Sequence, residues 1–227
     1  MLLRKLLTTT GAIVAAGIMA LTPSVAHAAV TTIEVDGVAA PNGNITYVGM
    51  LRSGGLTLGG YGLSCAGGTV GGVVKRGTGG LDPNPAFVFS ALNLSCTSAL
   101  GAVTLTFTCP LGIVMSNTNT VNVGKTDTNI TGVAEITNGA GTNCVRATFT
   151  IGCTIDISGS IAVSFDETVR TTSGIDYQDL SFSGGGATTK SATGICLTLI
   201  PNNSAVTSST VFQLHVSGTT TGVVDFQ

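Results

Sequence analysis

The feature that most constrains this chain is a period-two alternation of apolar and small polar residues. In Ala102–Cys109, Val103, Leu105, Phe107 and Cys109 fall on one face, and Thr104, Thr106 and Thr108 on the other. Val145, Ala147, Phe149, Ile151 and Cys153 repeat the pattern, as do Ile161, Val163 and Phe165, and again Phe212, Leu214 and Val216. Successive side chains of a strand point to opposite faces, so each run buries one face and wets the other. Threonine suits the wet face because it is β-branched and still tolerates water. Beyond the first 28 residues no window of about eleven residues carries the i, i+3, i+4, i+7 apolar spacing of a helix. The pattern predicts an all-β chain, either an antiparallel β-sandwich or a closed barrel of short strands.

Turn chemistry punctuates the runs. Asp36-Gly37, Asn42-Gly43, Gly54-Gly55, Gly67-Gly68, Asn138-Gly139 and Ser217-Gly218 each precede a new apolar or threonine-rich stretch and are expected as turns. Asp82-Pro83-Asn84-Pro85 cannot be a central strand, since proline supplies no ladder donor. It is expected as a loop, and as the boundary if residues 29–227 divide into two subdomains rather than forming one domain. Met115–Asn129, rich in Asn, Thr and Ser, is expected as a long surface loop or edge hairpin.

The first 28 residues read as a secretory signal. Arg4 and Lys5 precede the apolar stretch Leu6–Leu21, Pro23 ends any helix, and Ala26-His27-Ala28 is a small-x-small cleavage pattern with the cut expected between Ala28 and Ala29. A membrane anchor needs about 20 continuous apolar residues, and threonines and glycines interrupt this run. The remaining chain is therefore expected outside the cell or on its surface, with no transmembrane helix. Two of the 9 basic residues lie in the signal, which leaves seven against 11 acidic ones. A chain with 9% charged residues and so mild an acidic balance is not built to bind nucleic acid or an acidic membrane surface.

All six cysteines, Cys65, Cys96, Cys109, Cys144, Cys153 and Cys196, lie beyond the signal. An even count in an oxidising compartment reads as three disulfides, for which fifteen pairings are formally open. The order-of-sequence pairing 65–96, 109–144, 153–196 is the working expectation. Each such bridge would close a loop of about 30 to 45 residues and contribute about 3–4 kcal/mol by constraining the unfolded chain. Metal binding is not expected: there is no C-x-x-C, and His215 is the one histidine outside the signal.

The leader, the Leu63-Ser64-Cys65 segment with Cys96 about thirty residues on, and Gly152-Cys153-Thr154-Ile155-Asp156-Ile157-Ser158-Gly159-Ser160-Ile161 followed by Gly194, Ile195, Cys196, Leu197, Leu199 and Ile200 form a recognisable order. In that order the chain resembles a broad group of secreted Gly/Thr-rich β proteins of actinobacteria. The resemblance implies a β fold and no catalytic residue, because the group has no assigned function. It also implies that Cys109 and Cys144 are additional to the group's usual four cysteines and pair with each other, leaving 65–96 and 153–196.

Residues that could carry chemistry are few. A Ser-His-Asp triad would have to use His215, which alternation places on the polar face of its strand. Gly62-Leu63-Ser64-Cys65-Ala66 misses the nucleophile elbow by its last glycine and sets a cysteine beside the serine. Paired carboxylates could come from Asp156, Asp166 and Glu167, yet Asp166 and Glu167 are strand neighbours that must point apart. Asp176 and Asp179, beside Tyr177, are expected in a turn. The absence of tryptophan removes the usual sugar-stacking platform. Asp127-Thr128-Asn129-Ile130-Thr131-Gly132 begins like a calcium loop, but its twelfth position is Asn138 where a bidentate glutamate is needed, so a polar hairpin loop is expected. Gly124-Lys125-Thr126 lacks the first glycine of a phosphate loop and is expected as a turn.

These readings predict no catalytic residue, metal or cofactor. The expected function is a secreted or cell-surface protein with a structural, adhesive or binding role, with self-association through sheet edges or contact with the cell envelope. A secreted glycan or ester hydrolase and an envelope pore are the alternatives; a lipid-facing barrel would want aromatic girdles, and the chain has 8 Phe and 3 Tyr.

Overall fold

The computed structural model describes residues 28–29, 32–36, 43–78, 85–117, 128–136 and 141–226. The expected signal up to residue 27, Gly37, Asn42, Asp82-Pro83-Asn84, the 118–127 segment with Gly124-Lys125-Thr126 and Asp127, and Asn138-Gly139 lie outside the described residues. Two short strands come first, β1 (Ala28–Ala29) and β2 (Thr32–Val35). β3 (Gly43–Ser53) runs on through Gly54 into β4 (Gly55–Leu58), and the chain reverses at Gly59-Gly60 into β5 (Tyr61–Thr78). β6 (Phe87–Ser98) follows, then β7 (Gly101–Phe107), which continues past a break as β8 (Leu111–Asn117). β9 (Thr128–Glu135) and β10 (Val145–Phe149) form a second broken strand. The long strands β11 (Cys153–Thr172), β12 (Ile175–Lys190) and β13 (Ala205–Val216) come next, with a one-turn helix α1 (Cys196–Leu199) before β13 and β14 (Val224–Phe226) after it.

From β3 to β13, which form the wall, each strand or its continuation pairs antiparallel with the next along the chain, and β13 pairs back onto β3 and β4. With β4, β8 and β10 counted as continuations, the circuit has eight positions and closes. Of the two arrangements that alternation allows, this is the barrel. Following direct partners once round the ring runs Lys190, Asp156, Arg146, Thr106, Asn93, Thr69, Met50, Gln213 and back to β12 at Asp179. The return lies eleven residues from the start. Eleven residues of rise over eight strand spacings tilt the strands by about 44°. An eight-stranded ring at that tilt is just wide enough for side chains to fill.

Polarity follows the pleat. Val103 and Leu105 of β7, Ile155, Ile157, Ile161, Val163 and Phe165 of β11, and Phe212, Leu214 and Val216 of β13 are buried inside. Seven of the 8 phenylalanines join Tyr47 in a continuous run of ring contacts through the interior. Each fully buried phenylalanine contributes about 1.5–3 kcal/mol by leaving water. The disulfides join Cys65 to Cys96, Cys109 to Cys144 and Cys153 to Cys196. The first bridges direct partners on β5 and β6, and the second clamps the two strand breaks to each other. The third ties the start of β11 to α1.

Several local expectations fail for tertiary reasons. Gly67-Gly68 is not a turn: it lies within the 18-residue β5, where the register shifts by a bulge. Gly54-Gly55 does not reverse the chain but joins β3 to β4, and both parts pair with β13. The run Val145 to Cys153 is a hairpin rather than one strand, with a turn at Thr150–Gly152 that leaves Ile151 44% exposed. Asp176 and Asp179 sit inside β12. Thr128–Glu135 is a strand paired on both sides, not a hairpin loop, and with β8 it makes the hairpin expected over Met115–Asn129. The strands are also longer than expected, reaching 20 residues in β11. β5 and β6, on either side of the Asp82-Pro83-Asn84-Pro85 run, pair with each other, so both flanks belong to one barrel wall.

Long strands must bend to close a ring, and β11 and β12 do so at Gly159 (φ +108°) and Gly186 (φ +134°), next to register shifts. A side chain on either would press on the opposite backbone. Gly72 is the tightest approach of β5 to β6, where an added methyl would strike the Val88 carbonyl oxygen. Gly72→Ala is therefore expected to cost about 1–3 kcal/mol. Gly43→Ala, with nothing within 4 Å, is expected within about 0.5 kcal/mol of the parent. Urea unfolding of the two variants checks the contrast.

Candidate functional site

The barrel wall commits many of its charged groups to structure. Arg146 on β10 faces its direct partner Asp156 on β11 and donates to both carboxylate oxygens, at 2.7 and 3.3 Å. Asp166 accepts from the Thr168 backbone N–H (2.9 Å), and Asp176 accepts from the Thr171 hydroxyl (2.6 Å). Asp179 is held by Arg52 and by Arg170, whose Nε lies 3.2 Å away. Asp166 faces outward while Glu167 is fully buried inside, so these neighbours diverge as their strand positions require. They cannot flank one scissile bond.

His215 has its Nδ1 3.2 Å from the Val216 carbonyl and its ring edge-on to Tyr177, 5.3 Å between centroids. Among the described residues no carboxylate or serine hydroxyl is hydrogen-bonded to it. Ser64 sits on the straight course of β5, its carbonyl accepting the Thr97 hydroxyl at 3.5 Å. Among the described residues there is no group of three His, Cys, Asp or Glu that could hold a metal ion. The sequence candidates are thus scattered over the wall rather than gathered.

Inside the barrel, a cavity of about 70 Å³ lies among Leu105, Phe107, Phe182 and Phe212, with Ser208 and Thr210 on its edge. The Ser208 hydroxyl donates to Thr210 (3.2 Å), which donates to the Gly55 carbonyl (3.3 Å). The space is about half the roughly 150 Å³ that admits a benzene ring. The lumen is a packed core.

Both ends are covered. At the end where β11 begins, Cys153–Cys196 holds α1 over the mouth, with Ile200 fully buried beneath. Ile195, Leu197 and Ile151 project outward there, 54%, 52% and 44% exposed, and no charged residue occurs in 97–102, 148–154 or 191–201. Down the adjoining wall, Ser95, Thr104, Thr148 and Thr154 are direct partners across four strands, and Thr193 adds a hydroxyl 3.0 Å from that of Thr154.

The opposite mouth is closed by β2 and β14. Val223, Val224, Asp225 and Phe226 are all buried, and the Phe226 ring packs on Phe165 and Phe87 at 5.2 and 5.7 Å. The Gln178 side-chain amide pairs with both backbone groups of Val224, each at 2.7 Å, and Glu167 accepts the Phe226 N–H at 2.7 Å. Sequence reasoning missed this set. The available signal was the Val223-Val224-Asp225-Phe226 run, which follows a glycine-threonine turn and has too few residues to show a period.

Three disulfides hold this fold, and no described helix is long and apolar enough to cross a membrane. Comparison with protein-family models, with curated proteins and with solved structures finds no match to this chain, so its functional reading rests on its own geometry.

Tyr47 lies between Phe87 and Phe89 near the closed mouth, and its buried hydroxyl has no hydrogen-bond partner among the described residues. Loss of solvation pushes its ionisation well above the ordinary tyrosine value of 10.0. An unpaired buried hydroxyl costs about 1–3 kcal/mol, so Tyr47→Phe is expected to match or exceed the parent in stability. Ionisation is harder in the folded state, so this group leaves stability level below pH 10 and lowers it as pH rises further. Thermal unfolding at pH 8 and above pH 10 checks both: the alkaline loss is expected to shrink in Tyr47→Phe.

Proposed function

We propose that this chain is an exported, non-catalytic barrel with an adhesive or structural role at the cell surface, working through the hydroxyl-rich part of its outer wall and its apolar tip. The observation that carries this reading is the inside-out division of chemistry: an apolar lumen, carboxylates engaged in structural contacts, and threonine and serine rows outside. Three disulfides support export into an oxidising compartment. Closure uses up the edges of the wall, which removes edge pairing as a route of association for those strands. The polarity is also the reverse of a lipid-spanning barrel, which is apolar outside and polar within.

Contact made by hydroxyls and aliphatic side chains is not screened by salt. Residues 29–227 are therefore expected to co-sediment with purified envelope material at both low and about 1 M salt, and to do so less when Ile195 and Leu197 are both changed to serine. No turnover is expected on glycan, ester or peptide panels. Turnover lost in a folded His215→Ala, Asp156→Ala or Asp166→Ala variant would establish the hydrolase instead.

A further inference from the structure

The strand that closes the second mouth is held differently from the strands of the barrel wall. Wall strands are held on both sides by backbone ladders. β14 has a backbone partner on one side only, β2, through Val224–Val35, Asp225–Glu34 and Phe226–Ile33. On its other side the barrel reads its backbone with side chains. Gln178 acts as a surrogate peptide group, accepting the Val224 N–H and donating to the Val224 carbonyl. A further Gln178 bond to the Glu167 carbonyl (3.0 Å) fixes the amide in that orientation. Glu167 takes the next outward N–H, that of Phe226. On the β2 side Asp36 extends the ladder: its N–H donates to the Val223 carbonyl (3.0 Å), and its carboxylate accepts the Val223 N–H (3.2 Å).

Main-chain pairing combined with a socket for a side chain is the chemistry of strand addition, in which the backbone supplies affinity and the pockets supply selection. Here the socket is aromatic, made by Phe87 and Phe165, and Phe226 is fully buried against it. The connection back to the wall is a short turn with Gly218 at φ +85°, and residues 217–221 are exposed. The segment is thus tethered by a solvent-facing loop and seated by contacts that do not depend on the tether. We propose that this mouth is a binding site for an extended peptide of the type Val-Val-acidic-aromatic, occupied in cis by Val223–Phe226. Another strand of that chemistry can take the seat when the cis segment leaves it. This inference stands on the mouth alone and is independent of the outer-wall reading.

The test uses the whole chain, with a protease site inserted between Gly218 and Thr219, where the backbone is exposed. After cutting, the tail is expected to stay on the barrel through gel filtration and to be displaced by excess fluorescein-labelled peptide of residues 219–227. The same peptide with Phe226→Ala should compete at least about tenfold less well, as expected for a buried aromatic anchor. A barrel carrying Gln178→Ala should hold the peptide more weakly while the circular dichroism of the uncut protein is unchanged. Uncut protein should take up no label. The proposal is overturned if cutting unfolds the barrel, since the segment is then core rather than occupant. It also fails if label is not exchanged, if uncut protein takes it up equally, or if the Phe226→Ala peptide binds as well.

Discussion

Ring closure is the constraint on which the rest of this molecule depends. A sheet closes only if its last strand meets its first in register, and here the register returns to β12 eleven residues from where it left. That offset sets the tilt, the tilt sets the bore, and the bore decides what the interior can hold. At eight positions the bore is filled by the apolar half of each alternating strand, with the aromatic run from Phe226 to Phe212 through its middle. The bends that closure demands fall at glycines, where opposing backbones come too close for a side chain. Breaks in β7/β8 and β9/β10 fall side by side, and Cys109–Cys144 spans them.

Closure also separates the chemistry of the two faces. Backbone donors and acceptors of the wall are spent within it, so the outside offers side chains alone. Those side chains are largely threonine and serine, with several of the few charges drawn into pairs such as Arg146–Asp156. Exposed pairs of this kind contribute little, about 0–1 kcal/mol, so the barrel owes its stability to its interior and bridges rather than to its charges. The one buried glutamate of the wall, Glu167, faces inward because its place in β11 leaves it no other direction. It is accommodated by a backbone N–H from the segment that closes the mouth.

Much of the fold was legible residue by residue. Alternation at Val103/Leu105, Ile161–Phe165 and Phe212–Val216 identified strands and their buried faces, because pleat periodicity is local and needs no knowledge of partners. The divergence of Asp166 and Glu167 was legible for the same reason. Illegible were features created by pairing. Gly67-Gly68 has the composition of a turn, but pairing with Ser95 and Leu94 of β6 keeps it in the strand, as a bulge rather than a reversal. Thr150–Gly152 looked like the middle of a strand because Ile151 keeps the period by accident. The mouth was hidden for a deeper reason. Gln178, Glu167, Asp36 and Phe226 are far apart in sequence and acquire a common purpose only where the ring ends.

By itself, then, the amino-acid order determined the class of fold, the face each strand buries and the poverty of reactive groups, since all three follow from side-chain identity and a two-residue repeat. The tertiary structure alone decided that the layers meet as one closed ring rather than two stacked sheets, and that a short tail seats in one of its mouths. Both outcomes depend on the register between strands distant in sequence, and register is a property of pairs.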